Sequence, residues 1–222
     1  MNKVFKLIVL IIISLSVYFI YNKTENSKYT ITNIGDKFSM GINPYGVRDK
    51  GYVELYKESL TKEKKQIIID NTYSNKKQTI TNTLFLLKNT PEFKRKLYDS
   101  NLVIISLGYN DMLYNNIIED NTESISNSMK AIKKQYNDLI NEITKYYHNN
   151  IIVVGYYKQN TNNQDIIKLN KLLKSNKQIQ YINTFDLLIN DKYFPNPDKR
   201  YPNSSGYNEI AKKILSKTLE IY

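Results

Sequence analysis

Five short runs rich in Ile, Val and Tyr, at residues 29–34, 66–69, 102–107, 151–156 and 179–182, are bounded by turn residues and separated by stretches of helical spacing. Runs that are apolar throughout suit strands buried on both faces, which is the parallel-sheet case. Between the third and fourth runs, Ile125, Met129, Ile132, Tyr136, Leu139, Ile143 and Tyr147 recur at spacings of four and three. That spacing lays one apolar stripe along a helix of about 24 residues. Tyr207, Ile210, Ala211, Ile214, Leu215 and Leu219 repeat the pattern later, behind Asn203, Ser204 and Ser205 as capping candidates. Helical patterns at 52–60, 80–87 and 166–173 fill the remaining crossovers. Strands alternating with helices predict an α/β fold, a three-layer α/β/α sandwich around a five-stranded parallel sheet with right-handed crossovers. In the flavodoxin-like order 2-1-3-4-5, ligands bind at the carboxyl ends of strands 1 and 3, where the winding reverses.

The N-terminal end has a different character. Lys3 and Lys6 precede an uncharged apolar run from Leu7 to Tyr21, which reads as either a signal peptide or a membrane anchor. Counted from Val4, the segment just reaches the lower limit of about 17 residues for a spanning helix. It ends in Val17-Tyr18-Phe19-Ile20-Tyr21 rather than in the small residues of a cleavage site, which favours an uncleaved anchor over secretion after cleavage. With the lysines on the short side, the N-terminus lies in the cytoplasm and the rest outside. The expected organisation is thus a transmembrane signal-anchor at 1–21, a polar tether at 22–28 and one domain at 29–222.

Composition removes much chemistry. The 222 residues hold 32 Lys and Arg against 21 Asp and Glu, a net charge of +11, with one His, no Cys and no Trp. Without a thiol there is no disulfide, Cys nucleophile, thiolate zinc site or lipidated Cys. With one imidazole, multi-His metal sites are excluded, and neither a metal nor a cofactor is expected. His148 lies in Lys145-Tyr146-Tyr147-His148-Asn149-Asn150, after a helix and before strand 4, hence at the amino end of the sheet and away from the switch point. The positive charge favours anionic surroundings such as lipid headgroups or phosphate-bearing wall polymers. Nucleic acid is not expected as a partner, because the lysines are scattered and the anchor directs the domain out of the cytoplasm. The 20 Tyr accompany abundant Asn, Lys and Ile along the whole chain and carry little weight one by one.

Three blocks fall where a switch-point site needs them. Gly35-Asp36-Lys37-Phe38-Ser39-Met40-Gly41 follows strand 1, Gly108-Tyr109-Asn110-Asp111 follows strand 3, and Asp198-Lys199-Arg200-Tyr201-Pro202-Asn203-Ser204-Ser205-Gly206-Tyr207 precedes the last helix. Together they resemble the SGNH/GDSL hydrolase family, whose blocks read G-D-S, G-x-N-D and D-x-x-H in these places, and the resemblance spans residues 29–222. It implies a Ser nucleophile in the first block, a His base in the last and an Asp three residues before that His. It also implies an oxyanion hole built from the Ser amide, a Gly amide from a further block after strand 2 and the Asn side chain. Gly35, Asp36, Gly108, Asn110, Asp111, Asp198, Pro202, Gly206 and Tyr207 match. Lys37 stands at the nucleophile position, Tyr201 at the His position, and the segment after strand 2, Asp70 to Lys76, has no Gly.

Losing a triad Ser or His costs about a million-fold in kcat, and losing both costs little more because they act as a unit. The expected function is therefore a non-catalytic binding module on the SGNH scaffold, membrane-anchored and extracytoplasmic, with a degenerate site. Its ligand would be an anionic wall polymer, glycan or lipid. Lys37, Ser39, Tyr109, Asn110, Lys199 and Arg200 are the candidate binding residues, and a Lys37–Asp198 ion pair is expected in the former active site. The alternative is an active esterase or acylhydrolase with a rearranged nucleophile, such as Ser39 beside a lysine. A third class, a partner within an envelope complex, would use a surface away from the cleft.

Overall fold

β-branched side chains fit a pleated surface that is covered on both sides, and the Ile/Val runs take that place. The computed structural model describes residues 5, 9–16, 28–60, 66–118, 122–158, 163–196 and 201–219. Strand β1 (Lys28–Gly35) is followed by helix α1 (Tyr52–Leu60) and β2 (Gln66–Asp70). Helices α2 (Ile80–Asn89) and α3 (Pro91–Tyr98) lead into β3 (Leu102–Ser106). Next come α4 (Tyr109–Ile118), α5 (Thr122–Thr144) and β4 (Ile151–Val154), then α6 (Asn163–Lys174) and β5 (Ile179–Ile182). A short helix α7 (Thr184–Leu187), a 3-10 turn at Asp191–Tyr193 and α8 (Ser204–Leu219) complete the described fold.

The sheet order is β2-β1-β3-β4-β5, parallel throughout, as the alternation predicted. Ile31 pairs with both Ile69 and Leu102, and the last residue of β1, Gly35, pairs with the last of β3, Ser106. Helices cover both faces, with α1 against α8 in one group and α2, α5 and α6 packed in sequence in another. All five residues of β3 and all four of β4 are buried.

The differences from expectation are local. β4 stops at Val154, because Tyr156 turns its N–H and C=O to the Asn170 side chain at 2.8 and 2.7 Å instead of extending the ladder. Pro91 opens a helix that the sequence reading missed, where its lacking N–H costs nothing in a first turn. The block after β3 also differs: Tyr109 begins α4, so Asn110 and Asp111 lie in a helix's first turn rather than in a loop. Of the expected anchor only residues 5 and 9–16 are described, and of the expected tether only Lys28, which already belongs to β1. Residues 9–16 are helical with exposed apolar side chains, and among the described residues no helix is long and apolar enough to cross a membrane.

Much of the tyrosine content is core. Tyr52, Tyr56, Tyr136, Tyr156 and Tyr207 are among the largest fully buried side chains. Several hydroxyls brace distant segments: Tyr207 donates to the Ile42 carbonyl at 2.8 Å, and Tyr147 to the carbonyls of Asn101 and Asn150 at 3.1 Å. Phe38, in the first block, sits among four buried tyrosine rings, with centroids 5.4 Å from Tyr52, 5.0 Å from Tyr157, 5.9 Å from Tyr207 and 6.0 Å from Tyr156. This aromatic nest fixes the loop after β1 to α1 and α8. Phe38→Ala is expected to cost about 3–5 kcal/mol in urea unfolding; a loss below about 1 kcal/mol would show that the loop is held by other means.

Candidate functional site at the carboxyl ends of β1 and β3

Gly35 lets three chain segments meet. A Cβ there would lie 2.4 Å from Ser39 Oγ and 2.8 Å from the Ser106 carbonyl oxygen, so no side chain fits. The Asp36 N–H donates to that Ser106 carbonyl at 3.2 Å, and the Asn75 N–H donates to the Gly35 carbonyl at 3.0 Å. The loop after β1, the loop after β2 and the end of β3 are thereby stitched at one point. Gly108, at φ +121°, makes the turn from β3 into α4 in backbone space that L side chains rarely adopt.

Asp36 is fully buried at this junction. Its Oδ1 accepts from the Phe38 N–H at 2.9 Å and its Oδ2 from the Tyr156 hydroxyl at 2.7 Å. Burial penalises the carboxylate and pushes its pKa up from 3.8 to about 6, against the pull of Tyr156, the Phe38 amide and the Lys37 charge.

Lys37 is half-buried. Its ammonium nitrogen lies 5.9 Å from the Tyr109 ring centroid and 5.5 Å from that of Tyr201, within reach of both π-faces. Burial alone would lower its pKa, but the Tyr201 hydroxyl, Tyr109 and Asp36 outweigh that and leave it raised. Lys37 is therefore a held cation, and an amine nucleophile, which needs a lowered pKa, is not what this environment makes.

Other side chains of the blocks serve the scaffold. The Ser39 hydroxyl is wholly buried and donates to the Asp36 carbonyl at 2.8 Å, so it lines no cleft and faces no base. Asn110 also departs from its expected place as a free donor: Nδ2 donates to the Lys76 carbonyl at 3.1 Å and the Gln78 carbonyl at 2.8 Å. Asp111 takes the Ile80 N–H at 2.9 Å and caps α2, and burial raises its pKa while the Ile80 and Thr81 amides oppose the rise. The last block is tied in by Asn203, whose Oδ1 accepts the Gly206 N–H at 3.0 Å at the start of α8, and by the Tyr207–Ile42 bond.

Tyr109, Lys37 and Tyr201 are thus brought together. Asp198, Lys199 and Arg200 lie outside the described residues, and so does the expected Lys37–Asp198 pair. His148 is exposed between α5 and β4, at the opposite end of the sheet. Among the described residues no group of three or more acidic, His or Cys side chains stands together as a metal site would need. Sequence reasoning missed Tyr156, which it placed inside strand 4, and the capping role of Asp111. The Tyr156 hydroxyl's partner, Asp36, and the amides that Asp111 accepts from lie 30 or more residues away in sequence.

A parallel β2-β1-β3-β4-β5 sheet with loops converging on the β1/β3 switch point defines the class: a doubly wound three-layer α/β scaffold, which binds ligands at that point. The model of the GDSL-like lipase/acylhydrolase family matches residues 31–214, and the chain belongs to that family. Solved structures agree on the fold. A lipase, Lip_vut3 from a goat rumen metagenome, is similar with a TM-score of 0.69 and 20% identity, over 85% of this chain and 96% of that one. Axe2, an acetylxylan esterase from Geobacillus stearothermophilus, gives a TM-score of 0.64 at 14% identity, over 87% and 95%. LAE5, an alpha/beta hydrolase from the metagenome of Lake Arreo, Spain, gives 0.62 at 15%, over 85% and 94%. A search of curated proteins returns no match.

The raised pKa of Asp36 has a stability consequence with a definite sign. The folded state binds this proton more tightly than the unfolded chain, so the stability it confers is complete below pH 3.8 and is lost as pH rises through about 6. The loss is about 3 kcal/mol, an order-of-magnitude figure from the pKa difference. Urea unfolding of wild type and Asp36→Asn across this window isolates it. The wild type should weaken relative to the variant as pH rises, and a constant difference would contradict the buried-carboxylate account.

Proposed function

We propose that this protein is a membrane-anchored, extracytoplasmic member of the GDSL-like family whose site binds an anionic ligand and does not hydrolyse esters. The observation that carries this reading is Lys37, a protonated cation between Tyr109 and Tyr201 where the family resemblance puts the Ser and His of a triad. The neighbouring groups support it. Ser39 is engaged by the Asp36 carbonyl and Asn110 by two backbone carbonyls, which leaves neither as nucleophile nor as oxyanion donor. A half-buried ammonium framed by aromatic faces suits a phosphate or carboxylate group on a polymer, glycan or lipid. The anchor rests on the sequence: two lysines, then an uncharged run to Tyr21.

Membership of a family of lipases and acylhydrolases favours the second reading, an active carboxylic ester hydrolase. Hydrolysis of p-nitrophenyl acetate separates the two. The wild type should show no saturable turnover above buffer, and saturable turnover abolished by Ser39→Ala would overturn the binding reading. Restoring the two family residues through Lys37→Ser with Tyr201→His should still leave activity near background, since Asn110 keeps its donors on Lys76 and Gln78.

Binding is measured directly by calorimetric titration with a glycerol-phosphate oligomer and with an oligogalacturonate. Lys37→Ala should weaken the better ligand by about tenfold or more, the scale of one charge-assisted bond. An unchanged affinity would place the ligand elsewhere.

A further inference from the structure

In a parallel sheet all strands begin on one face of the domain and end on the other, and here the two faces differ in what they carry. The carboxyl-end face holds Lys37, Tyr109 and Tyr201, and it too carries exposed lysines, Lys76 and Lys77 in the loop after β2, so the length of the connecting chain and not charge alone decides which face meets the membrane. The amino-end face holds Lys28 at the start of β1, Lys145 after α5, Lys174 at the end of α6 and Lys177 before β5, all exposed, against Asp99 and Glu142. Lys145 pairs with Glu142 at 2.7 Å. This face is therefore net basic, and it is also the face on which the chain arrives from its N-terminal segment.

The length of that arrival limits how the domain can sit. Between Tyr21 and Lys28 stand six residues, 22–27. Fully stretched they span about 21 Å, and as a relaxed coil about 13 Å. The eight residues of β1 carry the chain from the amino-end face to the carboxyl-end face, a rise of about 23 Å. An inverted domain, with its site against the bilayer, would need Lys28 held above the headgroups by that rise plus the layer of loops beyond the strand ends. The stretched tether has no length left for those loops.

We infer that the amino-end face, through Lys28, Lys145, Lys174 and Lys177, rests on the anionic headgroups of the membrane that holds residues 1–21, and that the Lys37 site opens away from that membrane. This deepens the binding reading and rests on its anchor. Of the anionic ligands considered there, it selects a polymer or glycan standing off the membrane and excludes the headgroups of the protein's own bilayer. Attraction of each lysine to the anionic surface holds the basic face down and weakens with salt.

The absence of Cys makes the test clean, since one introduced thiol takes one label. Full-length Asn149→Cys reports on the amino-end face, and Tyr45→Cys, 75% exposed in the loop after β1, reports on the opposite face. Each labelled protein is reconstituted into vesicles of phosphatidylcholine with phosphatidylglycerol, and energy transfer to a headgroup-labelled lipid is read. Transfer from position 149 should exceed that from position 45 by roughly threefold or more, given faces about 23 Å apart. Lys174→Glu with Lys177→Glu should lower the signal at 149 to the level seen in phosphatidylcholine alone, and an unchanged signal would overturn the electrostatic contact. Equal transfer from both positions, in protein that floats with the vesicles, would overturn the orientation while sparing the anchor. Protein that does not float would overturn the anchor and with it the inference.

Discussion

The site depends on a close approach that only a residue without a side chain allows. β1 and β3 end in register at Gly35 and Ser106, and the chain turns back so tightly that Ser39 lies where a Cβ of Gly35 would be. From this contact follow the Asp36 bond to Ser106, the Asn75 bond to Gly35 and the burial of Asp36 beneath the loop. The cost of burying a carboxylate is met by two donors, the Phe38 amide and the Tyr156 hydroxyl, and they do not cancel it, which is why its proton is held so tightly. Lys37 inherits its position from the same turn.

The strands were legible because a buried parallel strand must be apolar on both faces, and Ile/Val runs between turn residues have few other uses. The long helix α5 and the last helix α8 announced themselves by period. What stayed hidden was local or long-range in a specific way. α4 begins with Tyr109-Asn110-Asp111 and carries no apolar stripe, so nothing in its spacing marks a helix. The roles of Asn110 and Asp111 are set by carbonyls and amides of residues 76–81, which periodicity cannot connect to them. The Lys37 neighbourhood was legible in part: the motif order located the residue, but its position between Tyr109 and Tyr201 required the fold.

The tyrosines show how a compositional bias is absorbed by physics. A chain rich in Tyr must place large rings with a polar tip, and here the rings fill the core while several tips meet carbonyls of loops that would otherwise want partners. Each such bond is worth about 1 kcal/mol net, and more is lost if one partner is removed and the other stays buried. The rings around Phe38 thus act both as core and as fastening for the loop that carries Asp36 and Lys37.

Asn110 ties the segment after β2 to the block after β3. Its amide hydrogens hold the carbonyls of Lys76 and Gln78, so the side chain is a brace inside the wall of the site. A brace cannot be reassigned alone: any lineage that turned this amide toward a ligand would first need new donors for two carbonyls. Substitutions at position 110 and across residues 76–78 are therefore epistatic. Routes between a binding form and a hydrolytic form of this scaffold must change both blocks, in an order that never leaves those carbonyls bare.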